Sequence, residues 1–226
     1  METAVFICGK YMFFCKKNYV IIRVVYLRKI IATGDMKMGK LIYVTGGARS
    51  GKSFLAESIV REYDQYEKVY LATSVPFDLE MQNRVKKHQD QRGPNWLTIE
   101  SYRDLDSVLE NKLGTSGKYV ILLDCLTYMV NNLMFDHKDI DWDNVTQERV
   151  DIIEDNIKNE VEKLINYLSK TENILVVVSN EVGMGLVPEY PLGRYYRDIA
   201  GRMNQYMGKE ASEAYLVVSG IKIKIK

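Results

Sequence analysis

The stretch "GGARSGKS" at positions 46 to 53 contains Gly46-x-x-x-x-Gly51-Lys52-Ser53, the spacing of a loop that cradles phosphate. Its glycines let successive backbone N–H groups turn inward onto phosphate oxygens, and a helix that follows adds the partial positive charge of its amino terminus. In this reading Gly46, Gly47, Ala48, Arg49, Ser50 and Gly51 wrap a nucleotide's phosphates, Lys52 reaches the β- and γ-phosphates, and the Ser53 hydroxyl binds Mg²⁺. Background composition would produce the pattern by accident in about one chain of this length in a hundred. The apolar run "LIYVT" before it and a helical period after it supply the context such a loop needs.

A metal held on phosphate also needs a carboxylate at the end of a neighbouring apolar strand. "YVILLD" delivers Asp124 at that place, where it holds Mg²⁺ directly or through water, or else caps the helix that starts near Leu126. The two roles are compatible. A histidine, His88, stands in "FDLEMQNRVKKHQDQRGPNW", with Met81, Val85 and His88 at helical spacing. Arg84 falls one turn before it and Arg92 one turn after, an array of cations suited to a triphosphate. Without such company a lone histidine is usually a surface or capping residue. His137, in "MFDHKDIDW", has none and reads as solvated.

The elements that must position these groups are legible as alternating apolar runs and amphipathic stretches. Strands are expected at "LIYVT" (41–45), "KVYLAT" (68–73), "LTIE" (97–100), "KYVILLD" (118–124), "NILVVVS" (173–179) and "AYLVVSG" (214–220). Most are too continuously apolar for a one-sided sheet. "KSFLAESIVREYDQY" and "NVTQERVDIIEDNIKNEVEKLINYLSK" keep a helical period. Alternating βα units predict an α/β fold, a doubly wound and mostly parallel sheet of the P-loop NTPase kind. The terminal "IKIKIK" alternates strictly, as an edge strand with one solvated face does, and its lysines blunt that edge against aggregation. With no internal repeat, low-complexity tract or Pro/Gly-rich linker, residues 41–226 read as one nucleotide-binding catalytic domain.

Composition sets outer limits. The chain has 226 residues, 46% hydrophobic and 27% charged, with a net charge of +1, as an ordinary globular domain does. That total hides an asymmetry: residues 1–40 carry eight Lys/Arg against Glu2 and Asp35, a net of +6, which leaves −5 on the remainder. A mildly acidic body argues against general nucleic-acid binding, which needs a basic face to release counterions. The basic leader lacks the roughly 18 to 20 apolar residues of a membrane helix, and a small-residue cleavage site after a clean apolar segment. It reads as a poorly structured extension with Met36 or Met38 as alternative starts, or as a peripheral membrane contact. Cys8, Cys15 and Cys125 form neither a metal spacing nor a disulfide framework, which suits a reducing cytoplasm.

"LIYVTGGARSGKS", "VYLATS", "EMQNRVKKHQDQR…W", "LLDCLTYMVNNL", "VVVSNEVGMGLVPEYPLGRYYRDIAGRMNQ" and "LVVSGIKIKIK" occur in that order. Together they resemble the bifunctional adenosylcobinamide kinase / adenosylcobinamide-phosphate guanylyltransferase family of cobalamin biosynthesis, from about Leu41 to Lys226. Residues 1–40 have no counterpart there. The resemblance implies phosphorylation of adenosylcobinamide, with GTP and ATP as nucleotide substrates and Mg²⁺ as cofactor. It further implies transfer of GMP from GTP to adenosylcobinamide phosphate through a guanylyl group on His88. A simple P-loop kinase or NTP hydrolase is the alternative, and it leaves His88 and its arginines without work.

By the same resemblance Thr73, Ser74 and Val75 contact nucleotide, as do Gln89, Asp90, Gln91 and Arg92. Glu100 corresponds to a carboxylate near guanine or ribose, and otherwise reads as a strand-end surface acid. Asp124 stands where some relatives carry Glu. "NEVGMGLVPEYPLGRYYRD" is loop-like, with Asn180, Glu181, Arg194, Arg197 and Asp198. It reads either as part of a corrinoid or subunit-contact surface, or as a structured connection whose arginines pair with acids. The partners implied are a corrinoid, nucleotides and other copies of the chain in a cytoplasmic homotrimer, with no nucleic acid and no stable membrane insertion.

Overall fold

In the computed structural model the residues described are 4–8, 11–16, 19–26, 39–74, 96–137 and 139–226. They fall into two units, Met1–Met36 and Lys37–Lys226. In the first, β1 (Ala4–Cys8), β2 (Tyr11–Lys16) and β3 (Tyr19–Tyr26) pair as an antiparallel meander. Ala4 lies opposite Cys15 and Tyr11 opposite Tyr26. The extension expected to be poorly structured therefore carries paired strands. "AVFIC", "YMFFCK" and "YVIIRVVY" are rich in β-branched and aromatic residues, the types that fit a pleated ladder.

The second unit is α/β. Seven strands, β4 (Lys40–Gly46), β5 (Glu67–Ala72), β6 (Trp96–Glu100), β7 (Tyr119–Asp124), β8 (Ile174–Asn180), β9 (Glu213–Val218) and β10 (Ile221–Lys224), form one sheet. Their order is β10-β9-β4-β8-β7-β5-β6. All neighbours are parallel except β10, which runs antiparallel to β9 at the edge. "IKIK" is exposed at every position, as an unpartnered edge of alternating Lys and Ile permits. Five described helices complete the unit: α1 (Lys52–Arg61), α2 (Leu105–Leu113), α3 (Leu126–Phe135), α4 (Gln147–Leu168) and α5 (Pro191–Glu210).

The period-2 alternation of the central strands sorts their side chains onto two faces. Ile42, Val44, Val120, Leu122, Val176 and Val178 pack with Ala56, Ile59 and Val60 of α1. Leu41, Tyr43, Ile121, Leu123, Leu175 and Val177 pack against the other four helices. Burial on both faces explains the near-continuous apolar runs. The 22-residue α4 buries Val150, Ile153, Ile157, Val161, Leu164 and Leu168, a stripe at spacings of three and four. Its first turn is capped by Thr146, whose side chain accepts from the Arg149 amide, satisfying one of the orphan donors of a helix start.

Candidate active site

The loop expected to hold phosphate joins β4 to α1. Gly51, its last residue, has φ 97°, a left-handed conformation that favours glycine. Gly46 is required for a different reason: a Cβ there would come within 2.4 Å of the Val217 carbonyl oxygen on β9. A Cβ on Gly47 would meet nothing within 4 Å, in keeping with its position outside the invariant spacing of the pattern. The amino end of α1 has no side-chain cap and no acid in its first turn, so the positive end of the helix is available to an anion. Lys52 is buried, and its Nζ donates to the Gly47 carbonyl at 3.1 Å, holding the ammonium over the loop. Ser53, half-buried, follows it on the same first turn.

Asp124 ends β7, and its strand parity decides where the carboxylate points. Val120, Leu122 and Asp124 share the α1 face, so the acid lies on the same side of the sheet as Lys52 and Ser53. β7 is not the direct neighbour of β4, because β8 lies between them. Two strand spacings separate the strand ends by about 10 Å, a span suited to phosphate, water and a metal ion between them. Asp124 Oδ2 accepts from the Tyr70 hydroxyl at 3.2 Å. The alternative capping role for Asp124 is not the one observed: the N-cap of α3 is Cys125, without a side-chain hydrogen bond.

Cys125 is buried, and burial first, then the neighbouring Asp124 carboxylate, pushes its thiol up to about 11, against the lowering effect of Lys52. The thiol is therefore protonated and inert near neutral pH.

A cleft of roughly 370 Å³ opens beside this edge, lined by Thr73, Ser74, Glu100, Ser101, Tyr102 and Arg103 together with Ala72. Ala72 is in register with Asp124 on one side and Glu100 on the other, so the two acids flank it in a single row across the sheet. Thr73 is fully engaged inside the protein. Its Oγ1 donates to the Cys125 carbonyl at 2.7 Å, and its own carbonyl accepts from Asn132 at 2.7 Å. It forms a wall, and Ser74 and Glu100 present the accessible polar groups. Val75, Arg84, His88, Gln89, Asp90, Gln91 and Arg92 lie outside the described residues; their segment joins the carboxyl end of β5 to the amino end of β6.

The "NEVGMGLVPEYPLGRYYRD" stretch is a loop only as far as Tyr190. Arg194, Arg197 and Asp198 lie on α5, which starts with Pro191 at its first position, where a missing N–H costs nothing. Arg194 donates to the carbonyls of Pro188 and Glu189, closing the loop onto the helix. Met184, Leu186, Val187 and Tyr190 are exposed. The loop is tied at its root to the 46–53 loop, where the Glu181 amide donates to the Gly46 carbonyl at 3.0 Å. His137 is half-buried at the end of α3, its amide donating to the Met134 carbonyl.

Residues missed from sequence are Tyr70, Asn132 and Arg103. Tyr70 reaches Asp124 through strand register, Asn132 reaches Thr73 from a packed helix, and Arg103 lines the cleft from the turn after β6, paired with Asp136, none of which a single chain's local pattern signals.

Among the described residues no group of three or more His, Cys, Asp or Glu could hold a metal alone. No described helix is long and apolar enough to cross a membrane.

Residues 42–225 match the family described as cobinamide kinase / cobinamide phosphate guanyltransferase, CobU. The chain is 43% identical over 190 residues to the bifunctional adenosylcobalamin biosynthesis protein CobU of Escherichia coli (strain K12), with 82% of this chain and 99% of that protein covered. The protein of the same name from Salmonella typhimurium matches at the same identity and coverage. The bifunctional adenosylcobalamin biosynthesis protein CobP of Pseudomonas aeruginosa is 32% identical over 183 residues, covering 81% of this chain and 95% of that one.

Proposed function

The chain belongs to the cobinamide kinase / cobinamide phosphate guanyltransferase family, and on that basis we propose that it carries out both reactions of its relatives. It phosphorylates adenosylcobinamide with the γ-phosphate of GTP or ATP, and it transfers GMP from GTP to adenosylcobinamide phosphate, giving adenosylcobinamide-GDP. The observation that carries this reading is the family match over nearly the whole second unit, residues 42–225. The alternative, a P-loop kinase or NTP hydrolase without guanylyl transfer, is not favoured.

In the kinase reaction the backbone from Gly46 to Gly51 and the amino end of α1 bind the phosphates, and Lys52 offsets charge that develops on the β- and γ-phosphates. Ser53 and Asp124 are hard oxygen donors on one face of the sheet, a set that fits Mg²⁺ when phosphate oxygens and water complete the shell. Bound there, the ion would neutralise phosphate charge. Tyr70 holds the Asp124 carboxylate in place. Ser74 and Glu100, in the cleft beside that row, bind the nucleoside end of the substrate.

In the transferase reaction an imidazole nitrogen of His88 attacks the α-phosphorus of GTP. A P–N bond forms, the bond to the bridging oxygen breaks, and pyrophosphate leaves. The phosphate of adenosylcobinamide phosphate then attacks the same phosphorus and releases His88. A neutral imidazole is a competent nucleophile near pH 7, and the covalent intermediate divides one difficult displacement into two. Arg84, Arg92, Gln89, Asp90, Gln91 and Val75 complete the nucleotide contacts in this reading, and Thr73 walls the cleft beside them. The protein acts in the cytoplasm as a homotrimer, and the exposed 184–190 loop faces the corrinoid or a second subunit.

The test is incubation with GTP labelled at the α-phosphate. Label retained through denaturation and released by acid is the expected result. Label lost on denaturation, with phosphate transfer to adenosylcobinamide intact, would leave only a kinase.

A further inference from the structure

The phosphate loop does not stand alone at its end of the sheet. β9 and β10 form a hairpin whose first pair is Val218 and Ile221, so the turn consists of Ser219 and Gly220. Both have positive φ, 51° and 80°, the two-residue turn whose twist matches that of a right-handed strand pair. The Gly220 amide donates to the carbonyl of Ser50 at 2.8 Å. A Cβ on Gly51 would lie 3.3 Å from Gly220 Cα and 3.7 Å from Val217 Cγ1, so turn and loop are in van der Waals contact.

The bonded carbonyl belongs to the Ser50–Gly51 peptide. In a planar trans peptide the C=O and the following N–H point in opposite directions. With the Ser50 oxygen bonded to the Gly220 amide, the Gly51 N–H points the opposite way, off the Ser219–Gly220 turn. The remaining neighbours fix the loop in other ways: Ser50 N donates to Gly47 O at 3.2 Å, and Glu181 N to Gly46 O at 3.0 Å. Neither bond sets the orientation of the Ser50–Gly51 peptide.

We propose that the Ser219–Gly220 turn is a positioning element of the nucleotide site, orienting the Ser50–Gly51 peptide so that its N–H donates to a substrate phosphate. This rests on the reading that residues 46–53 bind nucleotide phosphate. A left-handed glycine is needed at the turn because it must carry φ near +80° while its N–H faces the loop. Asn tolerates that conformation and keeps the donor, whereas a β-branched residue does not.

The experiment compares the full-length parent, Lys52→Ala, Gly220→Val and Gly220→Asn for binding of GTP and of guanosine, which has no phosphate. Melting temperature is recorded for each. Gly220→Val should weaken GTP about tenfold, the loss of one well-made hydrogen bond's worth of affinity, and leave guanosine unchanged, while Gly220→Asn stays close to the parent. Equal loss for GTP and guanosine, or undiminished GTP binding in folded Gly220→Val, would overturn the proposal while Lys52→Ala still loses GTP. Unchanged GTP binding in Lys52→Ala would instead remove the phosphate site itself, and the turn's role with it. Amide exchange in the unmodified protein gives a readout that survives misfolding of any variant: a Gly220 amide that exchanges as fast as a free peptide would also overturn it.

Discussion

The Tyr70 hydroxyl donates to Asp124 Oδ2 at 3.2 Å, bridging β5 and β7 at the end of the sheet where the 46–53 loop opens. A carboxylate held on one oxygen keeps the other for metal-bound water or metal. Asp124→Asn should lower phosphoryl transfer to adenosylcobinamide by about 10²-fold or more, as loss of a metal-orienting charge does. Tyr70→Phe should cost less than about tenfold, since it removes only a neutral donor. Initial rates at saturating Mg²⁺, with melting temperatures beside them, separate the two; equal losses in both variants would make Asp124 a structural residue.

Lys52→Ala removes the cation that the proposed mechanism sets against the β- and γ-phosphates. Both activities should fall by about 10²-fold or more while the fold survives. GTP consumption at the parent rate would show that the loop is not the nucleotide site.

His88→Ala should abolish acid-labile GMP labelling and guanylyl transfer, yet spare phosphorylation of adenosylcobinamide, because γ-phosphoryl transfer depends on positioning and metal and not on that nucleophile. His88→Asn should behave alike. Two assays on one variant decide the matter: undiminished labelling would move the nucleophile elsewhere, and equal loss of both activities would make His88 a shared binding group.

A chain beginning at Lys40 behind an initiator Met should keep both activities, even though 4–8, 11–16 and 19–26 pair as strands. The cut must spare Lys40, whose ammonium forms an ion pair with Glu213 and joins the first residue of β4 to the first of β9. Activity and solubility of the shortened chain are the measurements. Loss of either would show that the leader supports the second unit.

The Glu213 carboxyl is held down at about 2 by Lys40 first, and then by Tyr215 and Lys224. A depressed carboxyl contributes stability that is complete above its ordinary value near 4.5 and is lost as pH falls through about 2. With a quarter of the side chain exposed, solvent screening reduces the contribution to about 1 kcal/mol. Glu213→Gln should therefore melt about 2–4 °C below the parent at pH 7, and the gap should narrow as pH drops below 4.5. A gap independent of pH would mean that packing, and not charge, holds the cluster.

Strands are legible wherever burial is two-sided. "YVILLD" and "ILVVVS" announce β7 and β8 within a residue of their observed ends, because the same apolar demand acts at every position. Asp124 is legible as the polar terminus of such a run. Its partner Tyr70 is not, since pairing between strands 54 residues apart is a matter of register, and one chain's pattern does not fix register between distant segments. Nearby glycines and prolines make the arginines of "PLGRYYRD" read as part of a loop. Pro191 instead opens α5, and Gly193 sits inside the helix where a Cβ would come within 2.7 Å of Pro188, so its glycine reflects close packing and not a turn. The leader's strands are hidden by its lysines, which break every apolar run without preventing backbone pairing.

The central place of β4, between β8 and β9, bears on how the protein is made. The 46–53 loop, the proposed phosphate cradle, is near the start of the second unit, yet the strands that frame it begin only at Ile174 and Glu213. During translation the loop leaves the ribosome long before either flank exists, and parallel pairing across so much sequence is slow to form. A nascent chain therefore has no competent nucleotide pocket until almost its last residues have been added. Retention of ribosome-released fragments on an immobilised nucleotide would then report completed synthesis, with chains ending before Glu213 passing through unbound.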